Sequence, residues 1–478
     1  MHRLKTVSCA CLVLAAVLLS APPAWPITVQ EEEELSREVM RYVRKHFDMV
    51  DDPYVQDYVN RVGARILAAM PPQPFAYRFF VLKADDYNAF ATPAGYIFIY
   101  SGLMKDLDSE EELAGILGHE IAHVSCRHIS QKIERSKKIG MATLAGMAAG
   151  ILLGAGGAGT AAQAVTAGTM AATQSIALAY SREDEMQADQ LGLTYLAQAG
   201  YSGQGLYTSL KKIRTREYYT TKQIPTYLRT HPASDDRLAY LGARLDSRSK
   251  AQKPGGGDTW PFDMARTRLA ALHADGASAL AAFRQAADGP TDQLAARYGL
   301  ALSLTRNGQW AEAVENMRAV LAQKAFDPHL IAELGRIYFQ QGLFPEALKA
   351  LESAASIGPN LSDVQFWRGR VLLAQDRFAE AASALEKVRE RCPDYQPTLL
   401  FLGEAYGRQN RMADAHYNLG LYYFNRLEDK TAVFHLGRAL ENGIEGNRRD
   451  QVKKMLTELK EKRLLEEQEN RDKQRRRN

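Results

Sequence analysis

Apolar and polar positions divide the chain into stretches of different period. Near the start, His2, Arg3 and Lys5 precede an apolar run from Val7 to Leu19, closed by Ser20, Ala21, Pro22, Pro23 and Ala24. A basic lead, a short apolar run and a small-residue exit predict a secretory signal removed near Ala24, since a membrane helix needs about 20 apolar residues. Strand-like runs are confined to residues 76–100. Helical spacing follows at Leu113, Ile116, Leu117 and Ile121, and Ser109 with Glu112 reads as the capping box that opens this helix. From Gly140 to Ser181 no charge interrupts the chain. Gly and Ala dominate there, and Thr and Gln break the second apolar run, so residues 140–180 predict a helical hairpin touching membrane or unfolded substrate rather than a true span.

The second half repeats itself every 34 residues: Gly308, Gly342, Asp376 and Asn410 each mark a polar turn. Trp310, Phe344, Phe378 and Met412 follow, then Ala313, Ala347, Ala381 and Ala415, while Ala301, Gly335, Gly369 and Gly403 occupy the preceding helix. Small residues where helices cross and a large apolar residue after the turn let paired helices nest. The pattern resembles the tetratricopeptide repeat, which implies an α-solenoid with a concave face for partner segments. Ser247 to Asp258 is nearly free of apolar residues and predicts a linker, and the charged tail from Thr457 predicts a solvated helix that frays. The division that follows is a signal over 1–24, a chemical unit over 25–246, a linker over 247–262, a repeat unit over 263–456 and a tail over 457–478.

Composition excludes more than it assigns. In 478 residues, 46% apolar and 24% charged positions exclude a disordered or fibrous chain. Sixty Lys and Arg against 56 Asp and Glu leave a net charge of +4, too weak a field to argue for nucleic acid as a partner. Beyond the signal only Cys126 and Cys392 remain, too few to staple a fold, and both a single disulfide and two thiols stay open.

Candidate chemistry lies in the first half. His119, Glu120 and His123 form H-E-x-x-H inside the helix opened by Ser109. Residues four apart share a helix face about 5–6 Å apart, so two imidazoles there can grip one tetrahedral ion. Glu120 lies beside that ion without binding it, placed to take a proton from an activated water and deliver it to a leaving amine. A third ligand is needed, and the acids Glu183, Asp184, Glu185 and Asp189 open a later helical pattern. Periodicity does not choose among them. Glu185 and Asp189 share a face, so one can bind metal while the other orients a ligating His. His128, five residues past His123, is expected to face away from the ion as a structural residue, as is Cys126.

His119 to Val124 with Arg127-His128, the segment Glu185-Met186-Gln187-Ala188-Asp189, and the strand Asn88 to Ile97 together resemble the gluzincin metallopeptidases related to the CAAX prenyl protease. The resemblance implies Zn2+ held by His119, His123 and Glu185, with Glu120 as general base and Asp189 as the partner that orients a ligand. Glu183 and Asp184 become solvated acids. Asn88, Ala89 and Phe90 become the strand that offers backbone groups to an extended substrate, with Phe90 and Ile97 also serving the core. His231 and Arg237 become candidates for a fourth ligand or an oxyanion-stabilising group, with Arg237 favoured to pair with an acid. The implied fold class is mainly α: a zincin-type metalloprotease domain with a small β-sheet, followed by an α-solenoid of tetratricopeptide repeats. The implied setting is the periplasm of a Gram-negative cell, associated with the outer membrane. There the clients are unfolded or misassembled outer-membrane proteins, and the repeats contact the barrel-assembly machinery. The contrary readings are a repeat scaffold or chaperone with a latent metal site, and a membrane-embedded prenyl-protein protease.

Overall fold

The computed structural model describes residues 27–135, 180–219, 226–249, 258–289 and 293–475. The expected signal, and the expected hairpin apart from Tyr180, lie outside these residues. The first half runs α1 (Val29–His46), α2 (Pro53–Ala68), β1 (Arg78–Leu82), β2 (Ala89–Ala91), β3 (Tyr96–Tyr100), α3 (Ser101–Asp106), α4 (Glu110–Ser125), α5 (His128–Arg135), α6 (Arg182–Gln198), α7 (Gln204–Tyr219), α8 (Thr226–Thr230) and α9 (Asp235–Ser249). Strand order is β1-β3-β2, with β1 parallel and β2 antiparallel to the central β3. Side chains alternate across the sheet. Phe80, Phe98 and Phe90 stack on one face at 5.1 and 4.8 Å against α1, while Ile97 and Ile99 join the main core.

α4 lies at the centre of this half, between β2, α6 and α7. Ser109 accepts from the Glu112 backbone, but the Glu112 carboxylate accepts from the Asp108 backbone, so the reciprocal half of the expected capping box is absent. Close approach depends on glycine. A Cβ on Gly115 would stand 2.4 Å from the Leu206 nitrogen, well inside contact distance.

The second half pairs α10 (Trp260–His273) with α11 (Gly276–Ala287), α12 (Gln293–Arg306) with α13 (Trp310–Gln323), α14 (Pro328–Gln340) with α15 (Phe344–Ile357), α16 (Ser362–Ala374) with α17 (Phe378–Arg391) and α18 (Gln396–Arg408) with α19 (Met412–Asn425). α20 (Asp429–Glu441) and the long α21 (Gly446–Arg475) follow. The 34-residue turn positions share one backbone state: Gly308, Gly342, Asp376 and Asn410 have φ of 72°, 78°, 58° and 59°. The residue after each donates to the carbonyl five positions back, the bond that closes a Schellman helix end. Glycines recur where helices cross because a Cβ on Gly335, Gly369 or Gly403 would come within 2.7 Å of Leu351, Leu385 or Leu419.

The two halves meet through α2. Arg268, 4% exposed, donates to Asp52 on one side and to Tyr298 and Glu333 of the repeats on the other. The Tyr54 ring lies edge-on to His329 at 4.6 Å, and Arg391 donates to Asp57 at 2.6 Å. Two expectations need correction here. α10 already begins at Trp260 inside the expected linker, since Trp260 and Phe262 are buried against the first half. The charged tail continues α21, with Leu459 buried, Glu458 accepting from Arg41 and Lys462 donating to Asp429. Charge alternation concealed that one face is occupied.

Removing one member of a buried ion network strands its partners. Arg268→Ala is therefore expected to cost about 3–5 kcal/mol in urea unfolding. A loss below about 1 kcal/mol would show that water replaces the guanidinium at this junction.

Candidate metal centre

α4 carries His119 and His123 one turn apart, with their Nε2 atoms 3.0 Å from each other. α6 crosses α4 and brings Glu185, whose Oε2 is 3.4 Å from His119 Nε2 and whose Oε1 is 3.4 Å from His123 Nε2. His231, just beyond α8, places Nδ1 2.9 Å from Glu185 Oε1 and 3.4 Å from His119 Nε2. One ligand atom from each of these four residues lies within 4.8 Å of the others, and none of the four is more than 2% exposed. The donors are nitrogens and a carboxylate, a set that suits a divalent ion of zinc type.

The surrounding shell fixes the rings. Asp189 Oδ1 stands 3.0 Å from His119 Nδ1, which leaves Nε2 facing the cluster. Arg237 donates to both Asp189 oxygens at 2.6 and 2.8 Å and also pairs with Glu185. His128, expected to be structural, packs behind a cluster ring: its Nδ1 lies 2.9 Å from His123 Nδ1, and its Nε2 contacts Gln187 Oε1 at 3.0 Å. It faces away from the cluster, yet it holds one of the rings. Asp184 is not merely solvated either, since it caps α6 and pairs with Lys132 at 3.3 Å. Glu183 is exposed.

Sequence reasoning passed over Tyr180 and Tyr227. The Tyr180 ring lies 3.8 Å from that of His123, and Tyr227 stacks on His231 at 4.5 Å. Their only traces were positions immediately before the Ser181 cap and four residues before His231. Asn88 precedes β2, one of the two edge strands among the described residues, and Asn88, Ala89 and Phe90 are all buried. Cys126 and Cys392 are free thiols.

Burial pushes the Glu120 carboxyl above its usual range against the pull of His231 and His119. Among the described residues neither Glu120 oxygen has a hydrogen-bond partner, and His231 Nε2 stands 3.5 Å from Oε1. Burial and Arg237 oppose protonation of His119, but Asp189 and Glu185 outweigh them and raise it to about 9. Burial and the neighbouring His119 push His123 well down, so it is the neutral imidazole of the pair. Burial also opposes charge on Glu185 and Asp189, yet Arg237 holds both below the usual carboxylate range.

Residues 50–245 match Peptidase family M48, and residues 332–396 match the Tetratricopeptide repeat. The chain is similar to the beta-barrel assembly-enhancing protease of Escherichia coli (strain K12), 26% identical over 70% of this chain and 68% of that protein. It is 28% identical to the protein of the same name from Yersinia pestis, over 69% of this chain and 66% of that protein. Similarity to the mitochondrial metalloendopeptidase OMA1 of Schizosaccharomyces pombe, at 25% identity, spans 43% of this chain and 58% of that protein.

The Arg237 cation makes stability depend on pH in a definite direction. In metal-free protein, the depressed Glu185 and Asp189 contribute stability above their unfolded-state values near ~4 and lose it as pH falls through the folded-state values. Arg237→Met is expected to cost about 3–5 kcal/mol at pH 7, and its gap from the parent protein should narrow by about pH 3.5. Urea titrations at both pH values in chelator test this. A gap that stays constant would place the charge compensation elsewhere.

Proposed function

We propose that the chain, whose residues 50–245 match Peptidase family M48 and whose residues 332–396 match the Tetratricopeptide repeat, is a metalloendopeptidase that uses Zn2+ held by His119, His123 and Glu185. Glu120 is its general base. The observation that carries this reading is a fully buried carboxylate, unpartnered at both oxygens, beside four converging donor groups. Native proteins rarely leave such a group unsatisfied unless chemistry uses it.

A divalent cation at this cluster supplies Lewis acidity, which makes a water easier to deprotonate and a scissile carbonyl easier to attack. Glu120, raised by burial towards the operating pH, accepts the water proton and returns it to the leaving amine. Asp189 holds His119 in the tautomer that presents Nε2, and Arg237 keeps Asp189 and Glu185 ionised. Substrate lies along the Asn88–Phe90 edge of the sheet, adding a strand beside β2. Access requires movement, because Glu120 and the four cluster residues are closed to solvent in this conformation. His231 would complete the donor set for such an ion in the closed form, and its departure would make room for substrate.

The beta-barrel assembly-enhancing proteases that this chain resembles support a setting in the periplasm of a Gram-negative cell, with a signal at 1–24 and misassembled outer-membrane proteins as clients. The repeats recruit those clients or the barrel-assembly machinery. Among the described residues no helix is long and apolar enough to cross a membrane. The closed site gives a scaffold role its one specific support.

Glu120→Gln should lower casein digestion by about 10²–10⁴-fold while metal content is unchanged. Chelation should abolish digestion and Zn2+ should restore it. Survival of all cellular function in Glu120→Gln would instead establish the repeats as a scaffold with a dormant centre.

A further inference from the structure

The inner helices of three successive repeats, α14, α16 and α18, lie side by side. Their two ends do different things. His329 and Asp363, at the starts of α14 and α16, bond to each other at 2.8 Å, and His329 lies against Tyr54 of the catalytic half. Towards the far ends stands Arg370, half-buried, with its guanidinium carbon 3.9 Å from the Phe401 ring centroid, 5.3 Å from Phe339 and 5.7 Å from Trp367. Phe339 comes from α14, Trp367 from α16 with Arg370, and Phe401 from α18, so the basket crosses three helices. Among the described residues, no hydrogen bond or ion pair reaches the Arg370 guanidinium. Trp367 Nε1 is buried and also has no partner.

Arg336, the residue one repeat earlier, has a bonded counter-ion: it pairs with Glu333, which also accepts from Arg268. Arg370 has the burial without a bonded counter-ion: burial pushes its guanidinium below the usual range against the pull of Glu404, an exposed acid on α18. Aromatic faces hold a guanidinium flat by cation–π attraction and leave its edge donors in plane, ready for a bidentate acceptor. The indole N–H adds a third donor, and the rings offer apolar surface beside it.

We infer that this basket is a docking site for an extended segment of a partner protein, which seats an acidic side chain on Arg370 and the indole N–H of Trp367 and lays an adjacent bulky apolar side chain over Phe339 and Phe401. Charge complementarity selects the occupant: three donors and a cation that no acid bonds among the described residues call for an anionic acceptor. Because the basket crosses α14, α16 and α18, a through-running chain fits it, and the carboxylate comes from a Glu or Asp within that chain. This deepens the reading of the repeats as the recruiting surface and does not depend on catalysis.

The test uses the full mature chain carrying Glu120→Gln, so that binding is read without cleavage. The probe is a short fluorescein-labelled, end-blocked peptide containing Leu-Glu-Phe, with a Leu-Gln-Phe counterpart, followed by fluorescence anisotropy. Saturable binding of the Glu peptide, weaker by about tenfold with either the Gln peptide or Arg370→Gln, is expected for one charge-assisted bidentate contact. Arg370→Lys keeps the charge without the fork and should fall between the two. Trp367→Phe keeps the ring, removes the N–H and should weaken binding severalfold with an unchanged thermal melt. Equal affinity for Glu and Gln peptides, or Arg370 variants that fold and bind as the parent does, would overturn the site. So would a concentration-dependent dimer lost in Arg370→Gln, which would make a second copy of this chain the occupant. Client capture that persists in Arg370→Gln would leave the repeats as recruiter and remove only this basket.

Discussion

Burying a carboxylate and several imidazoles in one place is unfavourable unless something answers their charge, and Arg237 is that answer. It touches both acids of the centre: Glu185 among the donors, and Asp189 behind His119. Desolvation alone would protonate both carboxyls and spoil one as a ligand and the other as an acceptor. With the guanidinium in place they stay ionised, His119 is presented through Nε2, and α4, α6 and α9 are bound into one unit. Glu120 feels Arg237 only weakly, and burial drives its carboxyl the opposite way. One cation thus separates two kinds of acid a few ångströms apart.

What could be read from the residues was local or periodic. The turn of α4 that aligns His119 with His123 is written in their spacing, and the 34-residue recurrence of small and large side chains appears as left-handed turn residues and glycine crossings. His231 and Arg237 could be named only as candidates, because nothing periodic ties residues 112 and 118 positions from His119 to it. The His128–His123 contact was missed for a simpler reason. A helix projection assumes that α4 runs on, whereas it stops at Ser125 and Arg127 takes a φ of 54°, which swings His128 back. The reciprocal capping box failed because Glu112 found a better donor one residue upstream in Asp108.

The junction between the halves was equally invisible. Asp52 and Arg268 lie 216 positions apart, and neither residue type at its site marks an interface. Solenoids commonly present the whole inner surface to partners. Here one end of the inner helices is spent on α2, while Arg370 and Trp367 towards the other end stay half-buried. The repeats are therefore a built-in cradle for the catalytic half as well as a surface.

The contact between Arg41 and Glu458 joins positions 417 apart, close to the two ends of the described chain. Open repeat arrays ordinarily fray from whichever terminus lacks a cap, one unit at a time. Among the described residues the pair ties α21 back to α1, although an ion pair this exposed adds only about 0–1 kcal/mol. Loosening of α21 is therefore felt at α1, whose Val39, Met40 and Val43 pack on the sheet of the first half.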